Sequence, residues 1–195
     1  MIKCYLFDLD DTLIDSGIYH TLYEPVMKRI EKELEITRED LLKKLDSFKI
    51  RKNKIGNHDT GDACKRLGLL DMYYDELEKH IKVHHVLHDE VITLFDRLKE
   101  DGKHIAIASD SMTRTIRLYL DKYNLSGKVD FVFSAEEAGC KKDDERYWKK
   151  LIEEHRLKPE ECIMIGDNEK EDTIVPKRFG FHTFLIKGKD DLKNI

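Results

Sequence analysis

Acidic and hydroxyl side chains stand directly after three short apolar segments of the sequence. Asp8 and Asp10 follow the first segment, Ser109 ends the second, and Asp167 and Asp172 follow a later one. If these segments are parallel strands, their carboxyl ends meet at one edge of a sheet, where open α/β sheets bind ligands. Carboxylates gathered there repel one another unless a cation is bound, and oxygen ligands beside a phosphate group suit Mg²⁺. The pattern therefore predicts a magnesium site at this edge.

Five apolar segments have the character of buried strands, because their apolar residues run continuously, as in strands covered on both faces of a parallel sheet. They span residues 2–7, 104–108, 129–133, 162–165 and 183–186. Between them, apolar residues recur at helical spacings, as in Val91, Leu94 and Leu98. Glycines that commonly end a helix follow three of the helical patterns: Gly102, Gly127 and Gly180. Strand alternating with helix predicts a doubly wound α/β fold.

The stretch between the first and second strands breaks this alternation. Residues 15–88 contain no convincing strand and at least three helical patterns, one of which includes Leu22, Val26 and Ile30. More than 70 residues exceed any ordinary connection between neighbouring parallel strands. We therefore expect residues 15–88 to form an inserted helical subdomain, and residues 1–14 and 89–195 to form a discontinuous α/β core.

Composition narrows the class of protein. Charged residues make up 38% of the 195 residues, against about 25% in an ordinary soluble domain, and their mixed signs leave a net charge of −5. This charge argues against a general nucleic-acid binder. No apolar run approaches the roughly 20 residues of a membrane span, and aspartate comes too early in the chain for a signal peptide. We expect a soluble, cytoplasmic protein with no nucleic-acid or membrane partner, whose four cysteines are reduced thiols.

Four segments in order along the chain resemble the motifs of the haloacid dehalogenase superfamily of phosphatases. The segment FDLDDTL at residues 7–13 matches an aspartate-x-aspartate-x-threonine motif, and GDNEKED at residues 166–172 matches the acidic fourth motif. Ser109 matches the hydroxyl of the second motif, and Lys142 matches the lysine of the third. The resemblance implies a parallel sheet of order 5-4-1-2-3. It also implies a helical cap between the first two motifs, where residues 15–88 lie.

The resemblance implies a role for each acidic residue. Asp8 would attack phosphorus to form an aspartyl-phosphate, while Asp10 would protonate the leaving group and then deprotonate water. Mg²⁺ would be held by Asp8, Asp167 and the backbone carbonyl of Asp10. Asp172 would orient Lys142 or a water on the metal. Since a carbon–halogen bond needs no proton for its leaving group, the presence of Asp10 favours phosphate esters over halogenated substrates.

A second set of residues would bind or support the phosphoryl group, again by resemblance: Ser109, Lys142, Asp110, the backbone near Leu9, and Thr12 behind them. Two departures from the common pattern affect this set. Asp143 stands where a proline usually follows the lysine, and Lys141 is adjacent, so either lysine fits the motif. Asp110 stands where asparagine is common, which adds a negative charge near the phosphate.

Three features of the sequence allow a second interpretation. Ser109 would also serve as the N-cap of the following helix. His80, His84 and His88 have helical spacing, but without a nearby carboxylate motif an exposed or hinge position is favoured over zinc. A basic run in the middle of the insertion would either select substrates or form a solvated connector; it consists of Arg51, Lys52, Lys54 and His58.

The sequence thus predicts a Mg²⁺-dependent phosphohydrolase. Its substrate would be a small phosphorylated metabolite, such as a nucleotide, a sugar phosphate or a phosphoglycolate-like ester. Two alternatives remain at this point: a phosphomutase on the same scaffold, and a non-catalytic phosphate-binding or scaffold protein.

Overall fold

Five parallel strands form one sheet in the computed structural model, which describes residues 1–53 and 55–195. The strands are β1 (Cys4–Phe7), β2 (His104–Ser109), β3 (Phe131–Ser134), β4 (Cys162–Gly166) and β5 (His182–Leu185). Their order is β3-β2-β1-β4-β5, and every neighbouring pair is parallel. Leu6, Ile107 and Ile165 are fully buried, as continuous apolar strands require. The predicted fold class and strand order are confirmed.

Residues Ser16–His85 form a compact helical unit of their own. Its helices are α1 (Ile18–Leu34), α2 (Arg38–Ser47), α3 (Thr60–Leu67) and α4 (Leu70–Val83). The face of α1 that carries Leu22, Val26 and Ile30 is buried, and α1 packs on α4 and α3. The predicted helical patterns therefore lie in real helices whose apolar stripes form one small core.

The remaining residues, Met1–Asp15 and Val86–Ile195, form the core unit. Its helices are α5 (Glu90–Glu100), α6 (Thr113–Lys122), α7 (Ala135–Ala138), α8 (Glu145–His155) and α9 (Val175–Lys177). Helix α5 buries Val91, Leu94 and Leu98, as their spacing predicts. Within the described part of the chain, no helix combines the length and the apolar character needed to cross a membrane.

The prediction that Gly127 ends a helix was wrong. Helix α6 stops at Lys122, and Asn124 takes the left-handed conformation at φ 55°. Asparagine tolerates this conformation because its short side chain is polar, so no glycine is needed there. Gly102 and Gly180 do adopt positive φ, at 67° and 90°, after the helices they follow.

Two chain segments run side by side at the points where the core unit is interrupted. Ile14 and Leu87 form an antiparallel bridge. On either side of it, the Asp15 N–H donates to the Val86 carbonyl at 2.8 Å, and the His88 N–H donates to the Leu13 carbonyl at 2.9 Å. The core unit therefore closes its own backbone across the insertion.

Candidate active site

The carboxyl ends of β1, β2 and β4 bring the predicted site residues together. Asp8 follows β1, Ser109 is the last residue of β2, and Asp167 follows β4. The register pairs Phe7 with both Ile107 and Ile165, so the three strands end within two residues of one another. Asp8, Asp167 and Asp172 each offer a carboxylate oxygen within 4.8 Å of the others. The strands thus gather acidic groups that are far apart in the sequence.

Lys142 lies in the middle of these acidic groups. Its side chain is 2% exposed, and Nζ donates to Asp8 Oδ1 at 2.5 Å and to Asp172 Oδ1 at 2.7 Å. The side chain of Lys141 is half exposed, and its Nζ lies 3.9 Å from Asp110 Oδ2. Of the two lysines that fit the third motif, the fold therefore places Lys142 in the site.

The backbone of Lys142 is held on both sides. Its N–H donates to Asp110 Oδ1 at 2.8 Å, and its carbonyl accepts a hydrogen bond from Trp148 Nε1 at 2.8 Å. Trp148 is fully buried on α8, which makes it a rigid anchor. The carboxylate of Asp110 thus positions the lysine loop, a contact that sequence reasoning missed when it considered Asp110 only as a phosphate neighbour.

Asp172 is fully buried and links two parts of the site. Besides binding Lys142 through Oδ1, it accepts the Asn168 N–H through Oδ2 at 3.0 Å. It reaches this position from a π-helical turn, Glu169–Ile174, whose N-terminus is capped by the Asn168 side chain. Gly166 leaves the necessary room, because a Cβ there would lie 2.2 Å from Asp172 Oδ2. Both carboxylate oxygens of Asp172 are therefore committed to the protein itself.

Carboxylates outnumber cationic side chains among the site residues. Burial raises the pKa of Asp8 well above its usual range; Lys142 opposes this shift, and the charges of Asp172 and Asp10 add to it. Burial alone would lower the pKa of Lys142, but Asp8 and Asp172 outweigh it and hold that pKa well above its usual value. Lys142 is therefore an ammonium ion that only partly compensates its neighbours.

Asp167 is the third carboxylate of the cluster that includes Asp8 and Asp172. Loss of hydration around its carboxylate raises its pKa to about 6, and the charges of Asp172 and Asp11 act in the same direction. A hard divalent cation between Asp8 and Asp167 would relieve this repulsion, and carboxylate oxygens are the ligands that Mg²⁺ prefers. The residues present therefore fit a magnesium ion, with Asp172 as a support for Lys142.

The loop after β1 places Asp10 beside the end of β2. Asp10 Oδ2 accepts a hydrogen bond from Ser111 Oγ at 2.6 Å, and the Ser111 N–H donates to Ser109 Oγ at 3.1 Å. Sequence reasoning missed Ser111. The only signal was a second hydroxyl two residues after Ser109, and nothing in the sequence pairs it with Asp10.

Two further residues of the first motif surround this loop. Leu9 is buried, and its carbonyl accepts the N–H groups of Leu13 and Ile14, which closes a tight turn. Thr12 is fully buried, and among the described residues its Oγ1 has no hydrogen-bond partner. The roles of Leu9 and Thr12 toward a phosphoryl group stay predictions.

The alternative position for Ser109, as a helix N-cap, is wrong. Helix α6 has Met112 at its N-cap, with no side-chain capping bond. Ser109 instead ends β2 in register with Ser134. Its Oγ already accepts the Ser111 N–H, and a hydroxyl has one donor and two acceptor positions, so its proton is left to donate elsewhere.

The basic run lies in the helical unit. Asp46 Oδ1 is bound by Lys52 Nζ at 2.7 Å and by His58 Nε2 at 2.8 Å, and the side chain of His58 is 2% exposed. Lys52 and His58 also pair as an antiparallel bridge. Arg51 is exposed, and Lys54 lies outside the described residues. Selection of substrates by this run stays a prediction.

The histidines predicted at helical spacing fall in different units. His80 and His84 pack with ring centroids 4.9 Å apart, and His80 Nε2 lies 3.1 Å from Thr21 Oγ1. His88 belongs to the core unit. Burial and the neighbouring ring of His84 lower the pKa of His80, which favours the neutral imidazole.

Comparison with known proteins identifies the family. The sequence model of the haloacid dehalogenase-like hydrolases matches residues 2–180. The chain is similar to the phosphoglycolate phosphatase of Aquifex aeolicus, with 26% identity over 194 residues covering 94% of this chain and 84% of the relative. It is also similar to the glyceraldehyde 3-phosphate phosphatase of Methanocaldococcus jannaschii, with 28% identity over 200 residues covering 97% and 87%.

A solved structure has the same fold. The HAD phosphatase from Thermococcus onnurineus superimposes with a TM-score of 0.75 at 21% identity, covering 99% of this chain and 97% of that one. The match to the family model spans all four predicted motifs, from the loop after β1 to the acidic turn after β4. The chain therefore belongs to the haloacid dehalogenase-like hydrolases, as its motifs predict.

Proposed function

We propose that the chain is a Mg²⁺-dependent phosphatase of small phosphate monoesters, which works through an aspartyl-phosphate on Asp8. The observation that carries the proposal is the buried carboxylate of Asp8, held by Lys142 at 2.5 Å beside the carboxylate of Asp167. Mg²⁺, held by Asp8, Asp167 and the Asp10 carbonyl, would offset the repulsion between Asp8 and an anionic phosphoryl group.

In the first step, a carboxylate oxygen of Asp8 attacks phosphorus, and the bond from phosphorus to the ester oxygen breaks. Lys142 and the Ser109 hydroxyl donate to the phosphoryl oxygens while their charge redistributes. Asp10 gives its proton to the departing oxygen, so that the product leaves as an alcohol. Lys142 also fixes Asp8 in one orientation, which lowers the entropic part of the barrier.

In the second step, a water molecule attacks phosphorus on the opposite side from Asp8. Asp10 is now a carboxylate and takes the proton of this water. The bond from phosphorus to Asp8 breaks, which releases inorganic phosphate and restores the starting carboxylate. One residue therefore serves as acid and base in turn, and two easier steps replace one difficult hydrolysis.

The proposed substrates are small phosphorylated metabolites. Two relatives that match most of the chain are phosphatases of phosphoglycolate and of glyceraldehyde 3-phosphate, both short monoesters. Nucleotides and larger sugar phosphates belong to the same chemical class. We propose that the helical unit acts as a cap, which excludes water and selects the leaving group, and that the enzyme acts in the cytoplasm.

The test is release of inorganic phosphate from p-nitrophenyl phosphate and a broad panel of phosphorylated metabolites, with Mg²⁺ or EDTA present. We expect Mg²⁺-dependent release by the wild type and a loss of at least about 10³-fold in Asp8→Asn. Asp15→Asn is the matched control, since Asp15 is exposed and outside the site. An active Asp8→Asn variant would overturn the assignment of Asp8 as the nucleophile.

Product analysis separates the alternatives. A phosphomutase would isomerise a sugar phosphate and release little inorganic phosphate. A non-catalytic protein would turn over none of the panel. Mass spectrometry of the acid-quenched enzyme should find one phosphoryl group on the peptide that contains Asp8, and its absence during turnover would contradict the covalent mechanism.

A further inference from the structure

A hydroxyl outside the four motif positions contacts the Asp10 side chain. Ser111 Oγ donates to Asp10 Oδ2 at 2.6 Å, a short bond of the kind formed between a hydroxyl and a carboxylate. Ser111 lies in the loop between β2 and α6, whereas Asp10 lies in the loop after β1. The bond therefore joins two loops that are 101 residues apart in the sequence.

The backbone of Ser111 is fixed independently of its side chain. Its N–H donates to Ser109 Oγ at 3.1 Å, and Ser109 is fully buried at the end of β2. The hydroxyl of Ser111 thus projects from a short segment anchored to the sheet. Asp10, in contrast, lies just before Asp11, whose φ of 54° marks a tight turn. A donor anchored to the sheet accordingly meets the carboxylate of Asp10 across the two loops.

The two oxygens of Asp10 are made different by this bond. A carboxylate and a carboxylic acid both keep an acceptor oxygen, so the bond from Ser111 to Oδ2 persists whether Asp10 is charged or protonated. The proton that Asp10 gives and takes must then sit on Oδ1. A carboxyl group held through one oxygen presents the other in a defined direction, as general acid–base catalysis requires.

We propose that Ser111 is a positioning residue that holds Asp10 through Oδ2 and so selects Oδ1 as the oxygen that exchanges protons. This role rests on the proposed function, because it assigns a task to the general acid and base of that reaction. It predicts that Ser111 matters most where the departing oxygen needs its proton. Alkyl phosphates need this proton far more than p-nitrophenyl phosphate, whose phenolate is a stable anion.

The experiment compares kcat/KM, which reports the first irreversible step, for Ser111→Ala on three esters. The esters are p-nitrophenyl phosphate, phenyl phosphate and the best alkyl phosphate of the panel. Ser111→Ala keeps the backbone N–H and hence the bond to Ser109. We expect a loss of about 10-fold to 100-fold for the alkyl ester and under about 3-fold for p-nitrophenyl phosphate. Ser111→Thr, which keeps a hydroxyl, should restore most of the loss.

Ser126→Ala is the matched control, because Ser126 forms the same kind of bond to Asp121, at 2.5 Å, on the exposed surface. It should change none of the three values. An equal loss on all three esters, or no loss, overturns the role of Ser111 while the wild type still hydrolyses them. A wild type that hydrolyses no ester overturns the proposed function and the role of Ser111 together.

Discussion

The ammonium group of Lys142 partly compensates the charge of two buried carboxylates. It binds Asp8 and Asp172, and all three side chains are at most 9% exposed. Removing one partner from a buried ion pair costs more than the pair itself contributes, because the remaining charge keeps its desolvation penalty. Two carboxylates depend on this one ammonium group, so its loss should be felt in stability as well as in activity.

The corresponding prediction concerns Lys142→Met, a change that keeps most of the volume. At pH 7 we expect the metal-free protein to lose about 3 kcal/mol of unfolding free energy, measured by urea denaturation. The loss should shrink at pH 5, because burial raises the pKa of Asp8 and its carboxylate is more often protonated there. Lys141→Met is the control, and its exposed side chain should change stability by less than about 0.5 kcal/mol. Equal losses in both variants would contradict the placement of Lys142.

Asp167 should make binding at the proposed magnesium site depend on pH. Its pKa of about 6 lies above the ordinary 3.8, so the metal-free folded state holds a proton that the unfolded state has already lost. Stability contributed by this group is therefore present at low pH and lost as pH rises from about 4 to about 6. Mg²⁺ needs the charged carboxylate, so its affinity should change in the opposite direction.

We therefore expect Mg²⁺ affinity, measured by calorimetry, to be constant near pH 8 and to fall below about pH 6. Since the charge of Asp11 contributes to the raised pKa of Asp167, Asp11→Asn should move this fall to lower pH. Asp167→Asn should bind Mg²⁺ weakly at every pH. Affinity that stays unchanged down to pH 5 would contradict the proposed ligand.

Among the elements, the turn after β4 depends on contacts between side chain and backbone. Gly166 ends the strand, and Asp172 folds back over it from the π-helical turn. Neither a hydrophobic pattern nor a helix propensity specifies such a turn. It is determined by the close approach of the Asp172 carboxylate to a glycine, which has no Cβ. Single-turn π-helices often occur at functional sites.

Gly166→Ala tests this fit. A Cβ at residue 166 would lie 2.2 Å from Asp172 Oδ2 and 2.8 Å from its Cβ, so Asp172 must move and release Lys142. We expect a loss of about 2–3 kcal/mol in unfolding free energy and a large fall in kcat. Gly127→Ala is the control, since nothing lies within 4 Å of its added Cβ. A stable, active Gly166→Ala would show that the turn is more adaptable than its geometry implies.

The strands and their polar ends could be predicted from the sequence because both depend on local patterns. Continuous apolar runs marked the strands, and polar residues at their ends marked Asp8, Ser109 and Asp167. The order of the strands came from the family resemblance, since periodicity does not specify which strands become neighbours.

The supporting contacts were beyond the sequence. Ser111, Asp110 and Trp148 act across loops, and their partners are set by how helices α6 and α8 pack on the sheet. The choice between Lys141 and Lys142 likewise needed the direction of each side chain. At Gly127 the sequence suggested a helix end that Asn124 provides instead, because two residue types satisfy the same backbone requirement.

At the scale of the whole molecule, the chain divides into two compact units. The many charged residues pair mostly at exposed positions, as in the bond from Lys43 to Glu39, and such pairs contribute little to stability. Burial within each unit therefore supplies most of the stabilising free energy. The core unit also holds the residues proposed for catalysis, from Asp8 to Asp172, together with Ser111.

This division predicts that the core unit folds without residues 16–85. Asp15 and Val86 are already a hydrogen-bonded antiparallel pair, so a two-residue Asn-Gly turn can join them in the geometry of a tight hairpin. Replacing a connection of 70 residues by two shortens the loop by a factor of about five doublings. The entropic cost of closing the loop therefore falls by about 3 kcal/mol.

We expect the shortened protein to give a cooperative thermal transition that Mg²⁺, at about 100 times its dissociation constant, raises by several degrees. It should still hydrolyse p-nitrophenyl phosphate, more slowly, and should discriminate less among metabolites, because the proposed cap is gone. The same deletion with Asp167→Asn is the control, and it should fold without responding to Mg²⁺. If the shortened protein aggregates or melts without a transition, including with a longer Gly-Ser connection, the core unit depends on the helical unit for its stability. Unchanged discrimination among esters would instead show that the core unit itself selects the substrate.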